Sequence, residues 1–466
     1  MVSPDHLGGS VVRLLVGIGF CTLLTCCGER PTVGVQSGQM VGTATPDPTS
    51  ARPSASVPES TVPVTAPPNV TTTLLVTTTV PVTAPPNATT TGVEAVTVDT
   101  SSDVEVERTS AESRSSTARD LHYGVEPLYA LGSVIDVASH PDGGLYAATF
   151  DGTVHRYDPD SGSEGIVLDI SDRIRRFGEA GLLSIAVDPG GGWLYLYYST
   201  LSDLDTRLAA FPLDTHRADS DGEVALFDFV QPAAVHNGGG LLVRPDGTLW
   251  LSVGDGGLEG DPEDRAQDPL SLFGKLLRIV PTPWAERPFE VPNDNPFVDV
   301  EGVRAEIWSL GLRNVWRFDV DPATGDVWTS DVGKDFVEEV NFSSMSAGGE
   351  NYGWARLEGT KPFQGTAPEP RIDPLVELLH GRHDVCSMLG GLVYRGDRHP
   401  ELDGAYLFFD YCQRVLYAAY QEAGELVELV TLTSLPEGST SVASGLDGDV
   451  LILGADAKRP YRLSSS

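Results

Sequence analysis

PDGTLWLSVG, at residues 245–254, decides the fold class because the same unit recurs along the C-terminal part of the chain. The unit is a polar turn that contains glycine, followed by a strand that we expect to alternate in hydrophobicity. Its other copies are PDGGLYAAT (141–149), GGGWLYLYYS (190–199), ATGDVWTSD (323–331), LDGAYLFFD (402–410) and LDGDVLILG (446–454). Repetition of one turn-and-strand unit every ~60 residues is typical of a β-propeller, in which each blade is a four-stranded sheet. We therefore predict an all-β fold, a six-bladed β-propeller over residues 121–466.

Other fold classes explain the repeat less well. Helical periodicity is nearly absent, and the one modest helical candidate is Pro269–Leu277. A β-sandwich would not account for six copies of the same unit. Residues 121–466 also hold all seven tryptophans, so one large hydrophobic core is available to a single domain.

The N-terminus, residues 1–27, has the pattern of an export signal. Arg13 precedes the apolar run LLVGIGFCTLL (14–24), which is too short for a comfortable membrane span. LLTC, ending at Cys26, resembles a bacterial lipobox, although the residue before the cysteine fits imperfectly and Cys27 is a second candidate. Lipidation, ordinary cleavage and a retained anchor stay open. In each case we expect an exported protein at the cell surface or in the periplasm.

Residues 28–120 are predicted to be a disordered linker rich in Ser, Thr and Pro. VPVTAPPNVTTT at 62–73 recurs as VPVTAPPNATTT at 80–91, with few large apolar residues nearby. Proline blocks regular hydrogen-bond ladders, so this segment should be an extended, solvated stalk that holds the propeller away from a membrane or wall.

Two cysteines, Cys386 and Cys412, lie in the predicted propeller. In an exported domain they are most simply a disulfide, and two unpaired buried thiols are the alternative. A bond closing a loop of this size would stabilise the fold by roughly 3 kcal/mol in the chain-entropy model.

The net charge of −35, from 66 acidic and 31 basic residues, argues against a nucleic-acid partner, because such a surface repels phosphate backbones. It is compatible with a neutral ligand or with a cation such as Ca²⁺.

Two residues are candidates for catalysis. His236 directly precedes glycines 238–240, which allow close approach of backbone and ligand, and a neutral imidazole could accept a proton from a hydroxyl. Arg313 lies in the apolar run EIWSLGLRNVWRFDVD (306–321), where a buried guanidinium needs an acidic partner or an anionic ligand. A structural role is the alternative for both.

Two acidic segments are candidates for a hard cation such as Ca²⁺. The first, SDVGKDFVEEVN (330–341), does not have EF-hand spacing. The second, GDGGLEGDPEDRAQD (254–268), could equally be a solvated loop. The possible ligands of the first segment are the carboxylates of Asp331, Asp335, Glu338 and Glu339 and the carbonyl oxygen of Gly333.

Together these motifs resemble the glucose/sorbosone dehydrogenase family, the soluble sugar dehydrogenases that depend on pyrroloquinoline quinone (PQQ). The resemblance rests on HNGG, GDGG, GLRN followed by WRF, EEVN and GGENYGW, in one order. GEAGLLSIAVDP (178–189) and the stretch from 386 to 412 extend it over essentially all of the predicted propeller. It implies a six-bladed propeller with PQQ over its axis and Ca²⁺ bound to the quinone.

The resemblance also implies roles for single residues. His236 would take the proton from the anomeric hydroxyl of an aldose while hydride passes to the quinone, and Arg313 would stabilise the developing oxyanion. The residues implied to contact the cofactor are Glu179, Asn314 and Arg395. The residues implied to bind Ca²⁺ are Gly333 and Lys334 at the cofactor, and Glu339 and Tyr352 at a further structural site.

Three departures from the family pattern stand out. Val235 occupies a position that is often acidic, and Glu179 replaces a pocket glutamine. Glu437–Ser441 lacks a pair of arginines that grip the PQQ carboxylates, and each charge-assisted contact of that kind contributes ~1.5–3 kcal/mol.

The primary functional hypothesis is an extracytoplasmic PQQ-dependent oxidoreductase that oxidises aldose sugars to lactones. The alternative is a non-catalytic cell-surface binding propeller of the same family. A Ca²⁺-dependent lactonase is a third reading, although no serine nucleophile elbow is evident. The sequence identifies neither the electron acceptor nor the oligomeric state.

Overall fold

The computed structural model describes residues 97–99, 105–107, 121–202, 205–214, 217–346, 348–455 and 457–465. The predicted export signal and most of the predicted linker lie outside these residues. Inside the predicted linker are two three-residue strands, β1 (Thr97–Asp99) and β2 (Glu105–Glu107), which pair with each other. No helix in the described part of the chain is long and apolar enough to span a membrane.

Six antiparallel sheets form the blades of a propeller, which confirms the predicted fold class. The chain enters through β3 (Tyr123–Pro127), which becomes the outermost strand of the last blade. Blade 1 consists of β4 (Val134–Ser139), β5 (Leu145–Thr149), β6 (Thr153–Asp158) and β7 (Gly162–Asp169). Blade 2 consists of β8 (Leu182–Val187), β9 (Trp193–Ser199), β10 (Thr206–Pro212) and β11 (Val224–Phe229).

The third and fourth blades carry additional short strands. Blade 3 consists of β12 (Leu241–Val243), β13 (Leu249–Val253), β14 (Lys275–Pro281), the two-residue β15 (Phe289–Glu290) and β16 (Ile307–Leu310). Blade 4 consists of β17 (Val315–Val320), β18 (Val327–Asp331), β19 (Val337–Ser343) and β22 (Val376–Leu379), with β20 (Leu357–Glu358) and β21 (Lys361–Pro362) as a separate ribbon. β1 adds to blade 4 by pairing with β22.

The last two blades complete the ring. Blade 5 consists of β23 (Met388–Val393), β24 (Tyr406–Asp410), β25 (Val415–Glu422) and β26 (Glu425–Ser434). Blade 6 consists of β27 (Ser441–Ser444), β28 (Val450–Leu453), β29 (Tyr461–Ser465) and β3. Because β3 pairs with β29, an N-terminal and a C-terminal strand close the propeller. The described helices are short: α1 (His380–His383) and the 3₁₀ turns Ser220–Gly222, Pro400–Leu402 and Leu446–Gly448.

The repeated unit becomes the same structural part in every blade, namely the turn into the second strand and that strand itself. In β5, β13, β18, β24 and β28 every residue is buried. A second strand packs against neighbouring blades on both faces, so it is a continuous hydrophobic run and does not alternate. The helical prediction for Pro269–Leu277 is wrong, because β14 begins at Lys275 and pairs with β13.

A disulfide joins Cys386 to Cys412, as predicted. It ties the segment before β23 to the turn after β24. Asp410 holds both segments through its carboxylate, which accepts hydrogen bonds from the backbone N–H groups of Cys386, Ser387, Cys412 and Gln413.

The first strands of the blades, β4, β8, β12, β17, β23 and β27, are neighbours around the axis. Arg317, on β17, reaches across this axis and donates hydrogen bonds to the carbonyl oxygens of Ile135, Leu183 and Gly239, which belong to blades 1, 2 and 3. Its guanidinium therefore divides the channel. We call the end at which these inner strands begin the site face and the other end the distal face.

Candidate active site

Polar residues from separate blades meet at the site face, because the segments before the inner strands and after the second strands all end there. They line a small depression together with Phe150, Trp316 and Leu389. The polar residues that line it are Glu179 before β8, Asn314 before β17, Ser387 before β23 and Thr440 before β27.

His236, just before β12, lies in this group and is almost fully buried. Its Nδ1 is 2.7 Å from Oδ1 of Asp255, and its Nε2 is 3.1 Å from Nη2 of Arg313. Arginine can only donate, so Nε2 accepts and Nδ1 carries the proton towards Asp255. This network assigns the tautomer that leaves a lone pair on Nε2, the one a general base requires.

Asp255 is a site residue that the sequence analysis did not single out. It follows β13, is fully buried, and accepts hydrogen bonds from the Trp354 indole at 2.8 Å and from Gly257 N at 2.9 Å. These two donors fix the carboxylate, and the carboxylate in turn fixes the ring of His236. The signal is GDGG directly after a second strand, a segment for which the sequence leaves a cation site and a solvated loop open.

Arg313 is held by backbone groups and not by a carboxylate. Its Nη1 donates to the Val332 carbonyl oxygen at 2.7 Å, and its guanidinium carbon is 5.4 Å from the centre of the Trp354 ring. Within the described residues it forms no ion pair, and its Nε has no hydrogen-bond partner. The Nε atom is itself buried, as is the unpartnered Nε of Arg317, so what distinguishes Arg313 is its position beside His236 at the site face.

Asp331 organises the backbone at Arg313. It accepts the N–H of Arg313 at 2.8 Å and that of Asn314 at 2.6 Å. Asn314 in turn accepts the N–H of Gly238 at 3.0 Å, which links blade 4 to the glycine segment after His236. Burial raises the pKa of Asp331 to about 6.

Glu179 lines the depression and accepts the backbone N–H of His236 at 2.8 Å. Burial raises its pKa, while the neighbouring His236 and Arg313 act in the opposite direction. Asn237 is a second residue that sequence reasoning missed. It is buried, and neither atom of its amide group has a partner among the described residues.

The loop at Gly333 and Lys334 adjoins the site, because Gly333 directly follows Val332, whose carbonyl oxygen accepts a hydrogen bond from Arg313. One oxygen of Glu358 accepts the backbone N–H groups of Lys334, Asp335, Phe336 and Val337, at 2.7 to 3.2 Å. The amide groups of this loop therefore point into the protein. A Cβ atom at Gly333 would lie 1.7 Å from the Val337 carbonyl oxygen, so only glycine fits.

Glu339, on β19, lies between Asp331 on β18 and Glu377 on β22 in the sheet register. All three carboxylates are buried, and the pKa of Glu339 is raised well above its usual value by burial and then by Asp331. This row of oxygens has the chemistry of a hard-cation site. Tyr352 has its ring in the core cluster of Trp250 and Trp308, so any metal contact from it would come from its backbone.

Carbonyl groups of the acidic loop 254–268 bind a lysine from the adjacent strand β14. Lys275 is fully buried and donates hydrogen bonds to the carbonyl oxygens of Arg265, Ala266 and Phe273 at 2.8, 3.0 and 2.7 Å. Asp261 accepts the N–H groups of Arg265 and Ala266. Burial lowers the pKa of Lys275 to about 7, and its amino group takes up two carbonyl oxygens of this loop.

Arg395 is not at this site. It follows the end of β23, whereas Ser387 precedes its start, and an inner strand such as the six-residue β17 spans about 20 Å. Its guanidinium pairs with Asp321 at 2.6 Å and with Asp403 at 3.1 Å, and it lines a separate cavity of about 570 Å³ at the distal face. The expected contact between Arg395 and a cofactor beside His236 is therefore wrong, because the two residues lie at opposite ends of the channel.

Comparison with known proteins identifies relatives of several kinds. HIPL2 protein of Arabidopsis thaliana is 34% identical over 42% of this chain and 31% of its own length. Aldose sugar dehydrogenase YliI of Escherichia coli is 35% identical over 36% of this chain and 42% of its own. Human Hedgehog-interacting protein is 26% identical over 50% of this chain and 33% of its own. The chain thus spans about a third of the length of the plant and human relatives.

Solved structures share the fold. The PQQ-bound form of aldose sugar dehydrogenase from Streptomyces coelicolor superposes with a TM-score of 0.59, at 22% identity, over 75% of this chain and all of that one. A family model described as glucose/sorbosone dehydrogenase matches residues 131–459. The chain belongs to the glucose/sorbosone dehydrogenase family.

Proposed function

We propose that this propeller is an oxidoreductase that uses PQQ to oxidise an aldose at its anomeric carbon, giving the lactone. The observation that carries the proposal is the pairing of His236 and Arg313. The Nε2 lone pair of the buried imidazole accepts a hydrogen bond, at 3.1 Å, from a buried guanidinium that has no ion pair among the described residues, and a substrate hydroxyl would take the place of this donor.

The depression has a volume of about 40 Å³, and the side chains around it offer contacts to the reactive end of a quinone. Arg313 has an unpartnered Nε, which can donate to a carbonyl oxygen, and Asn314 lies beside it. Phe150 and Trp316 offer flat apolar surfaces to a planar ring system. Hydroxyl groups would face the carboxylates in place of arginines. The Ser387 hydroxyl is buried without a partner in the described structure, and Thr440 lines the same depression.

Each residue then has a defined task. When bound, PQQ supplies a carbonyl group that accepts a hydride, and so two electrons. His236 Nε2 accepts the hydroxyl proton of the sugar as the C–H bond at the same carbon breaks, which leaves a C=O bond in the product. Asp255 stabilises the imidazolium that forms, as a buried carboxylate does for a catalytic histidine. Arg313 would stabilise the negative charge that develops on the oxygen of the carbonyl group whose carbon accepts the hydride.

Calcium belongs to the same proposal. The backbone carbonyls of Gly333 and Lys334 would hold the ion at the cofactor, and the loop is suited to this because its amide groups already face Glu358 and Glu338. Glu339 would contribute to a second, structural ion.

We also place the protein outside the cytoplasm. The Cys386–Cys412 disulfide supports this location, since such bonds persist in oxidising compartments. A lipid on Cys26 or Cys27 would anchor it at the membrane, with the linker between anchor and propeller. The electron acceptor would then be an extracytoplasmic molecule.

The test is a dye-linked assay on the full chain, loaded with PQQ and Ca²⁺ and offered a panel of aldoses. Sugar-dependent reduction of the dye is expected, and His236→Ala should lower kcat by about 10²- to 10⁴-fold, the usual contribution of a general base. The circular dichroism spectrum of the variant should be unchanged. No reduction with any aldose, or a variant at the original rate, would contradict the proposal.

A second candidate is a cell-surface binding propeller without redox chemistry. Two observations favour it: Glu437–Ser441 supplies no arginine, and the relatives include Hedgehog-interacting protein. Failure to bind PQQ in the presence of Ca²⁺ would select this candidate. No observation in the described structure favours a lactonase.

A further inference from the structure

An apolar surface lies beside His236 at the site face. We define it as the apolar ridge, made of Phe177, the segment Pro232–Val235 and Leu258. Two of its large hydrophobic side chains are exposed, with exposed fractions of 64% for Phe177 and 41% for Leu258. The ridge carries no charged side chain, although the chain has 66 acidic residues.

Close packing makes the ridge one continuous surface. A side chain at Gly178, next to Phe177, would lie 3.5 Å from the Ala234 carbonyl oxygen. A Cβ atom at Gly257, next to Leu258, would lie 2.8 Å from the Ala233 Cβ and 3.0 Å from a Val235 methyl group. Gly257 has φ of +72°, which favours glycine, so the close approach depends on this residue.

The ridge is also continuous with the reacting group. Val235 directly precedes His236, and Phe177 is two residues before Glu179, which binds the backbone N–H of His236. A molecule bound at His236 would therefore lie next to the ridge. Exposed apolar patches of this kind at a site usually mark a binding surface, because water covers them at a cost in free energy.

We infer that the apolar ridge binds an alkyl or aryl substituent of the substrate, so that the substrate class is an aldose or alcohol that carries an apolar group near the carbon that is oxidised. The inference rests on the proposed function for the role of His236. Val235 is the central residue, because an acidic side chain there would place a charge on the ridge next to the imidazole.

Binding can be tested without turnover. Alkyl β-glucosides cannot be oxidised at the anomeric carbon, because their anomeric oxygen is an ether. We would titrate methyl, butyl and hexyl β-glucoside into the full chain by calorimetry, below the concentration at which the ligands form micelles. Each buried methylene should tighten Kd by up to about 4-fold. We expect the hexyl compound to bind at least about 10-fold more tightly than the methyl compound.

Val235→Asp and Phe177→Ser should each weaken this dependence on chain length. Ile166→Ser is the matched control, because Ile166 is also an exposed hydrophobic residue, 56% exposed, but lies on β7, outside the ridge. Thermal unfolding would check that all three variants fold. If the hexyl compound binds no more tightly than the methyl compound, the inference is overturned.

The outcomes separate this inference from the proposed function. If binding depends on chain length and the two ridge variants weaken this dependence, the inference is supported. This holds even if the dye-linked assay shows no sugar oxidation, a result that would contradict the proposed redox reaction alone. If the protein oxidises sugars but glucoside binding does not depend on chain length, the proposed dehydrogenase activity is supported and the inference about the ridge is overturned. A dependence that Ile166→Ser weakens as much as Val235→Asp would also overturn the inference.

Discussion

Two buried arginines, one inside the axial channel and one at the site face, differ in their hydrogen-bond partners. Arg317, inside the channel, donates to four backbone carbonyl oxygens, of Ile135, Leu183, Gly239 and Trp316, at 2.9 to 3.0 Å. Arg313, four residues earlier, donates to one carbonyl oxygen and to an imidazole, and neither residue forms an ion pair in the described structure. The hydrogen bonds of Arg317 thus join blades, whereas Arg313 binds the imidazole of His236, for which we propose a catalytic role.

The acidic residues inside the channel, at its distal face and at its site face also differ in their partners. Asp136 faces Arg317 and is fixed by Ser184 and by the N–H groups of Val137 and Ile185. At the distal face Arg395 is neutralised by Asp321 and Asp403. At the site face Asp255 accepts from His236 itself. The charged groups inside the channel and at its distal face therefore hold blades together. At the site face, the carboxylate of Asp255 binds the imidazole of His236.

The largest effect is expected for Arg317→Met. The change leaves carbonyl oxygens of four inner-strand residues and the Asp136 carboxylate without their cation, and breaking a buried charged network of this kind costs about 3–5 kcal/mol. Urea unfolding should show this loss in the free energy of unfolding. A variant as stable as the original protein would show that Arg317 is not a structural link.

Arg313→Met should give the opposite result and so sharpen the comparison. Only two hydrogen bonds are lost, so the free energy of unfolding should fall by about 1–2 kcal/mol. The rate should fall much further, by about 10²- to 10³-fold in kcat, because stabilisation of the developing oxyanion is removed. Urea unfolding and the dye-linked assay on the same preparation would measure both. A loss of stability as large as that of Arg317→Met would remove the distinction.

Cys386→Ser tests the rim of the site face. Loss of the bond to Cys412 should lower the free energy of unfolding by roughly 3 kcal/mol in the chain-entropy model. Thermal unfolding with and without a reductant would measure it, and the reductant should lower the stability of the original protein only. An equal response of both proteins to the reductant would contradict a disulfide at this position.

The smallest effect concerns pH. Burial raises the pKa of Asp410 to about 6, above its unfolded value near 3.8. The folded state therefore binds this proton more tightly, and the stability that the group contributes is present below pH 3.8 and is lost as the pH rises through 6. Asp410→Asn removes this titration, so its destabilising effect should be largest near pH 4 and smallest near pH 7. A constant difference across urea titrations at these pH values would contradict the shift.

Most of the architecture could be predicted from the sequence, because the second strand of each blade is a buried hydrophobic run behind a glycine turn. Outer strands such as β6 and β7 could not, since they are half-exposed and carry no repeated motif. His236 and Arg313 could be found because a polar residue just before a glycine run, or inside an apolar run, is unusual. Asp255 was missed because an aspartate in an acidic loop is not unusual.

Two further contacts could not be predicted from local patterns. The expected contact of Arg395 with the cofactor is wrong because a motif gives the position of a residue along the chain but not the face at which a strand ends. For the acidic loop 254–268 the sequence leaves a cation site and a solvated loop open, and it does not reveal the contact with Lys275 on the neighbouring strand β14. Both contacts join residues that are distant in sequence or separated by a turn.

The most direct test of the account is a calorimetric titration of PQQ, with Ca²⁺ present, into the full chain and into Arg313→Met. We predict stoichiometric binding to the original protein and a clear loss of affinity in the variant, with little change in Tm. Absence of binding to the original protein, or equal binding to both, would contradict the claim that the free guanidinium at the site face serves an anionic quinone.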